Sequence, residues 1–430
     1  MGTSELLSLA DHTRELITTA GALGQFDAAF DALWPGASVF LVADENTLPL
    51  IDINTEGCRR LAVPAGQFIF PGAPVLEADY RHVQTLKRIL SSTPNVIPIV
   101  IGSGTLNDLC KCACGELNRD YGVIATAASV DGYASDGAAL VKEGIKQTIP
   151  CPAPVLIIGD PEILKTAPPE MTASGYADLA AKIPAGADWI LADIINEDPI
   201  DTIVWKELQN PLRSRLTYPT SLVALFEGLN LSGLAMQYLK KSRPASGAEH
   251  MMSHIWEMEH YSYQGKSPSH GFKVAVGSVC TLKAMHWLMD RGLTQRDFEK
   301  ALENPPLAAV RESIIPELFP FLEDRTFLYE VNQKVYGDPD RFGRRLEEIR
   351  REWDQVCFAW KEYLPSEKEF ASMLSTAGSP SCPGDLGLTW TQCGMTVVQA
   401  QYLRDRYSIL DLLNDMSLTS EFRISLEALD

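Results

Sequence analysis

Five of the seven histidines in this 430-residue chain fall in one short stretch. They are His250, His254, His260, His270 and His286. His250 and His254 stand four residues apart, so a helix would project both rings from one face. His270, followed by Gly271, lies where a helix–turn–helix return would bring back a third ring. Neutral imidazole is the commonest metal ligand near pH 7. Histidines alone do not make a catalytic centre; a carboxylate and an open coordination position are also required. His260 and His286 read as ordinary core or surface histidines.

A second chemical feature is the run Ile101-Gly102-Ser103-Gly104-Thr105-Leu106-Asn107-Asp108. It reads as a strand, a glycine turn and a helix start. Small residues there let the backbone approach a phosphate, and the new helix offers unpaired N–H groups at its positive end. The run departs from the G-x-G-x-x-G fingerprint because position 107 is Asn. Asp44, ending the first strand-like run, is placed to meet a ribose hydroxyl or to serve as an ordinary strand-end carboxylate.

The elements that would carry these residues alternate at first and then change character. Ser38–Ala43, Gln67–Phe70, Val96–Ile101, Gly122–Ala125 and Val155–Ile158 read as strands, with a helical pattern over Asp79–Ser91. Strands alternating with helices predict a parallel, helix-covered sheet. Pro98 predicts an edge or an irregularity in its strand. Beyond Pro168 helical patterns take over: Glu170–Lys182, Thr220–Lys240, Ser246–Tyr261, Gly271–Arg291 and Asp340–Tyr363. The expected organisation is an α/β dinucleotide-binding domain over 1–168 and an all-helical, metal- and substrate-binding domain over 169–430.

Composition narrows the class. Hydrophobic residues at 46% and charged residues at 22% fit a globular protein. The formal net charge of −19 disfavours a nucleic-acid partner, which would ask for a basic face. No apolar run reaches the roughly 18 residues of a membrane span, and no secretory signal is visible, so a cytoplasmic location is expected. The nine cysteines are scattered and read as free thiols. Cys110, Cys112 and Cys114 invite a metal reading, but a helix points Cys112 away from the other two, so buried thiols are expected. A homo-oligomer is compatible with all of this.

Five ordered segments together resemble the sn-glycerol-1-phosphate dehydrogenase family. That family is a branch of the superfamily of iron-containing alcohol dehydrogenases, glycerol dehydrogenase and dehydroquinate synthase. The segments are Gly102–Asp108, Thr126–Ser135 (TAASVDGYAS), Ala173–Lys182 (ASGYADLAAK), Ser242–His254 (SRPASGAEHMMSH) and Ser269–Gly277 (SHGFKVAVG). The similarity covers roughly residues 38 to 280. It implies a dehydroquinate synthase-like fold, a small phosphorylated three-carbon polyol or ketone as substrate, NAD or NADP, and one divalent metal (zinc, nickel or iron).

The resemblance also implies roles for individual residues. Asp178 supplies the missing carboxylate and binds the metal with His250 and His270. His254 would relay a proton or hold a substrate hydroxyl, and Asp131 would accept hydrogen bonds from substrate. Gly102, Gly104, Thr105, Leu106, Asn107 and Asp108, then Thr126, Ala127, Ala128, Ser129 and Ser135, would meet the dinucleotide. Asp44 faintly favours NAD, because a carboxylate there repels a 2′-phosphate. Lys182, Arg243 and Lys273 are cationic candidates for the substrate phosphate, with at least two of them expected to be solvated helix charges.

Two positions depart from the pattern. Phe272 stands where relatives usually carry an acidic residue, and Ile183-Pro184 falls where a continuing helix is expected, predicting a kink. Both bear on substrate identity. The implied activity is interconversion of dihydroxyacetone phosphate and sn-glycerol 1-phosphate by hydride transfer at C2. The alternatives are a dehydrogenase of another small polyol or phosphonate or phosphate alcohol, a dehydroquinate-synthase-type cyclase, and a non-catalytic protein that kept the fold.

Overall fold

The computed structural model describes residues 4–142, 145–217 and 221–430. The chain forms two compact units, Met1–Leu179 with Ile203–Ala245, and Ala180–Thr202 with Ser246–Asp430. This division differs from a boundary at residue 168. Residues 169–179 and 203–245 group with the sheet, while 180–202 group with the later chain.

The first unit is built on a parallel sheet. In chain order its strands are β1 (Glu15–Ile17), β2 (Ser38–Asp44), β3 (Gly66–Phe70), β4 (Val96–Gly102), β5 (Gly122–Ala125) and, after a hairpin of β6 (Gly137–Lys142) and β7 (Ile145–Pro150), β8 (Leu156–Ile158). The spatial order is β1-β8-β5-β4-β2-β3. Six of the seven residues of β2 are buried. A strand covered on both faces reads as an unbroken apolar run, which is why Val39-Phe40-Leu41-Val42-Ala43 was legible. The strand β1 and the β6–β7 hairpin go beyond the expected elements.

Pro98 does not mark an edge. β4 lies inside the sheet, pairing with β2 on one side and β5 on the other. Proline is tolerated because pairing with β5 begins only at Ile99, so at Pro98 no ladder bond is lost on that side.

Helices carry the rest. Those that position the candidate site are α1 (Gly104–Glu116), α2 (Pro169–Ala180), α3 (Lys182–Ile194), α4 (Leu222–Leu239), α5 (Ala248–Met258) and α6 (His270–Arg291). Thr220, at the expected start of α4, lies outside the described residues. Pro184 acts as the sequence suggested. α2 stops at Ala180, α3 begins at Lys182, and proline sits in that first turn, where a missing N–H costs no helical bond.

Among the described residues α4 alone is long and apolar enough, by length and composition, to span a membrane, although Glu227, Asn230 and Gln237 interrupt its apolar run. It has 18 residues at a mean hydropathy of 1.2, and 61% of it is buried within the protein. Two of its polar side chains bond inside the protein: Asn230 Nδ2 donates to the Phe226 carbonyl, and Gln237 Oε1 accepts from the Thr13 amide. Such pairing is what a core helix needs.

Candidate metal and dinucleotide site

The turn between β4 and α1 is shaped by contact. A Cβ at Gly102 would lie 2.5 Å from Leu106 Cδ1, so only glycine lets the first helical turn close over the strand end. Ser103, the residue before α1, makes no side-chain cap. The first-turn amides of a helix have no intrahelical partner, and here the preceding side chain does not take them. That leaves a donor set suited to a phosphate.

The individual residues fall into two groups. Gly104, Thr105 and Asp108 are partly exposed, whereas Leu106 and Asn107 point inward. Asn107 Oδ1 accepts from the Tyr121 hydroxyl at 3.0 Å, and its backbone N–H donates to the Ser103 carbonyl. Thr126, Ala127, Ala128 and Ser129 are all buried, and Ser135 is partly exposed. Asp44 Oδ1 accepts from the amides of Asn46 and Thr47 at 2.9 and 2.7 Å, and the Thr47 hydroxyl donates to the Ile101 carbonyl. Its carboxylate therefore ties the end of β2 to β4.

Lys111, on α1, was not singled out by sequence. Its ammonium is fully buried and donates to the carbonyls of Gly132 and Gly137 at 2.6 and 3.0 Å, with Asp108 3.6 Å away. It pins α1 to the loop that carries Asp131. From that loop the Asp131 amide donates to Asp178 Oδ2 at 3.0 Å, and Ser232 Oγ on α4 donates to Asp131 Oδ2 at 2.9 Å. Asp178 is itself fully buried near the end of α2.

The histidines are set by helix starts. Ser269 caps α6 by accepting from the Phe272 amide, which fixes His270 as the first helical residue. At the start of α5, Asp188 Oδ2 accepts from the Ala248 amide at 2.8 Å and Glu249 Oε1 from the Gly247 amide at 2.6 Å. Acidic groups at that end also suit the helix dipole. His250 and His254 then project one turn apart, with ring centroids 6.4 Å from each other. The His270 ring is 5.4 Å from His250 and 6.0 Å from His254.

Two carboxylates orient these rings. Glu249 Oε1 lies 2.8 Å from His250 Nδ1, and Glu257 Oε1 lies 2.9 Å from His270 Nδ1. A second Glu257 oxygen, Oε2, lies 3.1 Å from His254 Nδ1. A neutral imidazole whose Nδ1 donates to a carboxylate presents its Nε2 lone pair, the arrangement common to metal-bound histidine. Desolvation holds the His254 pKa below 6.5, down to about 4, against the opposing pull of Glu257.

Asp178, His250 and His270 each offer a ligand atom, and these atoms all lie within 4.8 Å of one another. One carboxylate oxygen and two carboxylate-backed imidazoles make a donor set that fits a divalent zinc, nickel or iron ion, with positions left for substrate oxygens. His286 instead pairs with the Pro365 carbonyl, as an ordinary structural histidine. All nine cysteines are free thiols, and Cys110, Cys112 and Cys114 are buried as expected.

The phosphate candidates require a correction. Lys182, Arg243 and Lys273 are 0%, 3% and 5% exposed, so none is a solvated helix charge. Buried cations need compensating partners; Lys273 Nζ, for one, donates to Ser267 Oγ at 3.3 Å.

The parallel sheet, the glycine turn and the clustered aspartate and histidines define a class, the metal-dependent dehydrogenases of the iron-containing alcohol dehydrogenase fold. Residues 18–168 match the family described as iron-containing alcohol dehydrogenase. Among solved structures, an iron-containing alcohol dehydrogenase from Corynebacterium glutamicum superposes with a TM-score of 0.54 at 16% identity, covering 96% of each chain. Sequence relatives are more particular. The chain is 30% identical over 387 residues to the NAD(P)+ glycerol-1-phosphate dehydrogenase of Bacillus velezensis, covering 87% of this chain and 84% of that one. It is 32% identical over 394 residues to the enzyme of the same name from Geobacillus stearothermophilus, covering 88% and 87%. The chain belongs to the glycerol-1-phosphate dehydrogenase family.

Proposed function

We propose that this protein interconverts dihydroxyacetone phosphate and sn-glycerol 1-phosphate by hydride transfer at C2, using NADH or NADPH. The observation that carries the reading is the convergence of Asp178, His250 and His270 ligand atoms within 4.8 Å in a chain of this family. A divalent cation held by these three residues supplies Lewis-acid polarisation of the C2 oxygen.

The chain's own groups account for the remaining work. The first-turn amides of α1 and the loop Thr126–Ser129, with Ser135, hold the dinucleotide, and Asp44 at the end of β2 favours NAD. The Asp131 carboxylate, oriented by Ser232, accepts hydrogen bonds from substrate hydroxyls. His254, its Nδ1 turned to Glu257, uses Nε2 to take the C2 hydroxyl proton in the oxidation direction and to return it in the reduction direction. Among Lys182, Arg243 and Lys273 lie the cations that neutralise the substrate phosphate. Buried cations suit that role, because they act in a medium that screens them little. Nine free thiols favour a reducing, cytoplasmic setting. Self-association is compatible with this reading, and sedimentation velocity on the purified chain reads it.

The decisive assay uses purified chain, with metal content measured on the same sample, and follows loss of NADH or NADPH with dihydroxyacetone phosphate. Turnover is the expected outcome. Failure to oxidise either nucleotide with any small phosphorylated or unphosphorylated ketone removes the reading. A narrower rival, a dehydrogenase of another phosphate or phosphonate alcohol, draws on Phe272, half-buried two positions beyond His270; preference for such an alcohol in the same screen would favour it.

The pH profile adds an independent check. His254 must be neutral to accept the hydroxyl proton, and its pKa is lowered from 6.5 towards about 4. Because the side chain keeps 33% of its exposure, water offsets part of that shift. The acid limb of kcat/KM for alcohol oxidation should therefore fall between about 4 and 6.5. It should disappear in His254→Asn along with about 100-fold or more of the rate. A limb at 7 or above, or its persistence in the variant, excludes His254 as the proton acceptor.

A further inference from the structure

Glu257 occupies a position that none of the roles above explains in full. It is 7% exposed, and its two carboxylate oxygens are directed at two different imidazoles. Oε1 meets His270 Nδ1 at 2.9 Å and Oε2 meets His254 Nδ1 at 3.1 Å. The two rings lie 27° from parallel with centroids 6.0 Å apart, so the carboxylate bridges a stacked pair. His250, by contrast, has its own carboxylate in Glu249.

We propose that Glu257 is a shared positioning residue, one carboxylate that fixes the tautomer and direction of the metal-ligand ring of His270 and of the substrate-facing ring of His254 together. The inference rests on the reading of His270 as a metal ligand. An ionised carboxylate only accepts hydrogen bonds, so both Nδ1 atoms must carry the proton and both Nε2 atoms must present lone pairs. With a neutral carboxamide at 257, one oxygen accepts from one ring while the NH2 group faces the other. The ring facing NH2 must then take the opposite tautomer, with its proton on Nε2. No orientation of the amide serves both rings.

The consequence is a double defect from a nearly isosteric change. Glu257→Gln should weaken Zn²⁺ binding by about 10- to 100-fold, the range found when a carboxylate behind a ligand histidine is removed. It should also raise KM for the alcohol, because His254 is misdirected in part of the population. His254→Asn, which leaves His270 and its Glu257 bond in place, should keep Zn²⁺ affinity within about threefold of the parent chain.

The experiment strips the full chain with a chelator and titrates Zn²⁺ against a chromophoric competitor, so binding is read without turnover. Unchanged Zn²⁺ affinity in Glu257→Gln, or equal losses in Glu257→Gln and His254→Asn, overturns the proposal. Should Glu257→Gln fail to fold by circular dichroism, Glu257→Asp carries the test. Its carboxylate, drawn back by one methylene, reaches only one ring, so a selective loss of either metal affinity or alcohol KM supports the bridge. Normal values of both sink it. If the parent chain shows no Zn²⁺ site that Asp178→Asn weakens, it is the metal-centre reading that fails, a result distinct from failure of the bridge.

Discussion

Asp178→Asn should abolish tight metal binding and lower kcat/KM by on the order of a thousandfold, about 4 kcal/mol of lost transition-state stabilisation. The change keeps the shape of the side chain, and that makes it informative. Asp178 is fully buried and its Oδ2 accepts the Asp131 amide, a bond that the carbonyl oxygen of asparagine can keep making. The amide NH2 then stands where the second carboxylate oxygen was, a donor among imidazoles that themselves present Nε2 lone pairs. It offers no lone pair to a cation and removes the negative charge that balances one. The fold is retained, so the thermal midpoint without metal should stay within a few degrees. The parent chain should rise in midpoint when Zn²⁺ is added, since anything that binds only the folded state stabilises it; the variant should not. Metal content per chain, the Zn²⁺-induced shift and kcat/KM are the three readings. A variant that retains one metal ion and parental turnover would eliminate Asp178 as a ligand, and with it the metal-centred reading.

What sequence can reveal about such a site depends on whether a residue type is informative before burial is known. Histidine is rare, so a cluster that includes His250, His254 and His270 stood out by type and spacing. Gly102 and Gly104 stood out because two glycines after an apolar strand mark a tight turn. Aspartate on a helix is common on solvated faces, so Asp178 became visible only through the resemblance of its whole segment. Glu249 and Glu257 were invisible for the same reason. Each lies within a few residues of a histidine, yet nothing in the spelling says that Glu249 is 0% and Glu257 7% exposed. The i, i+3 spacing of His254 and Glu257 was the one available signal.

Buried cations were missed by the same logic. Lys111 sits between Cys110 and Cys112 and reads as the polar face of a helix, whereas it is spent on one carbonyl of the loop bearing Asp131, that of Gly132, and on that of Gly137 at the start of β6. For the fold, long strands buried on both faces were legible, since parallel pairing demands a continuous apolar run. β1 was not, because three residues with Glu15 exposed carry no periodicity. Nor were β6 and β7, since small Gly137, Ala138 and Ala139 open the first and polar Lys146, Gln147 and Thr148 interrupt the second. Pro98 marked an irregularity and not an edge, because proline says that a donor is missing and not where neighbouring strands begin to pair.

Gly175→Ala should cost about 100-fold in kcat/KM and also destabilise the first unit, although residue 175 is not assigned to contact any ligand. Helix α2 runs from Pro169 to Ala180 and delivers Asp178 one turn beyond Gly175. A Cβ at 175 would stand 1.9 Å from the Ala128 carbonyl oxygen, 2.8 Å from its carbon and 3.1 Å from Ser129 Cα. These are backbone atoms of the dinucleotide loop, so no side-chain rotation relieves the overlap. Either α2 or the loop must retreat by about an ångström, and a displacement of that size near reacting groups costs on the order of a hundredfold. The strain itself should lower stability by about 1–3 kcal/mol, as overpacking of a tight interior does. Both partners in the clash carry site residues, the loop holding Thr126 to Asp131 and the helix holding Asp178. The loss should therefore appear in KM for NADH as well as in kcat. Gly175→Ser should behave at least as badly, whereas alanine at Gly343, where an added Cβ meets nothing within 4 Å and φ is not positive, should leave KM for NADH unchanged. Equal KM values for the parent and Gly175→Ala, with an unchanged unfolding midpoint, would mean that α2 and the 126–131 loop are not held against each other, and the precise placement of Asp178 would need another cause.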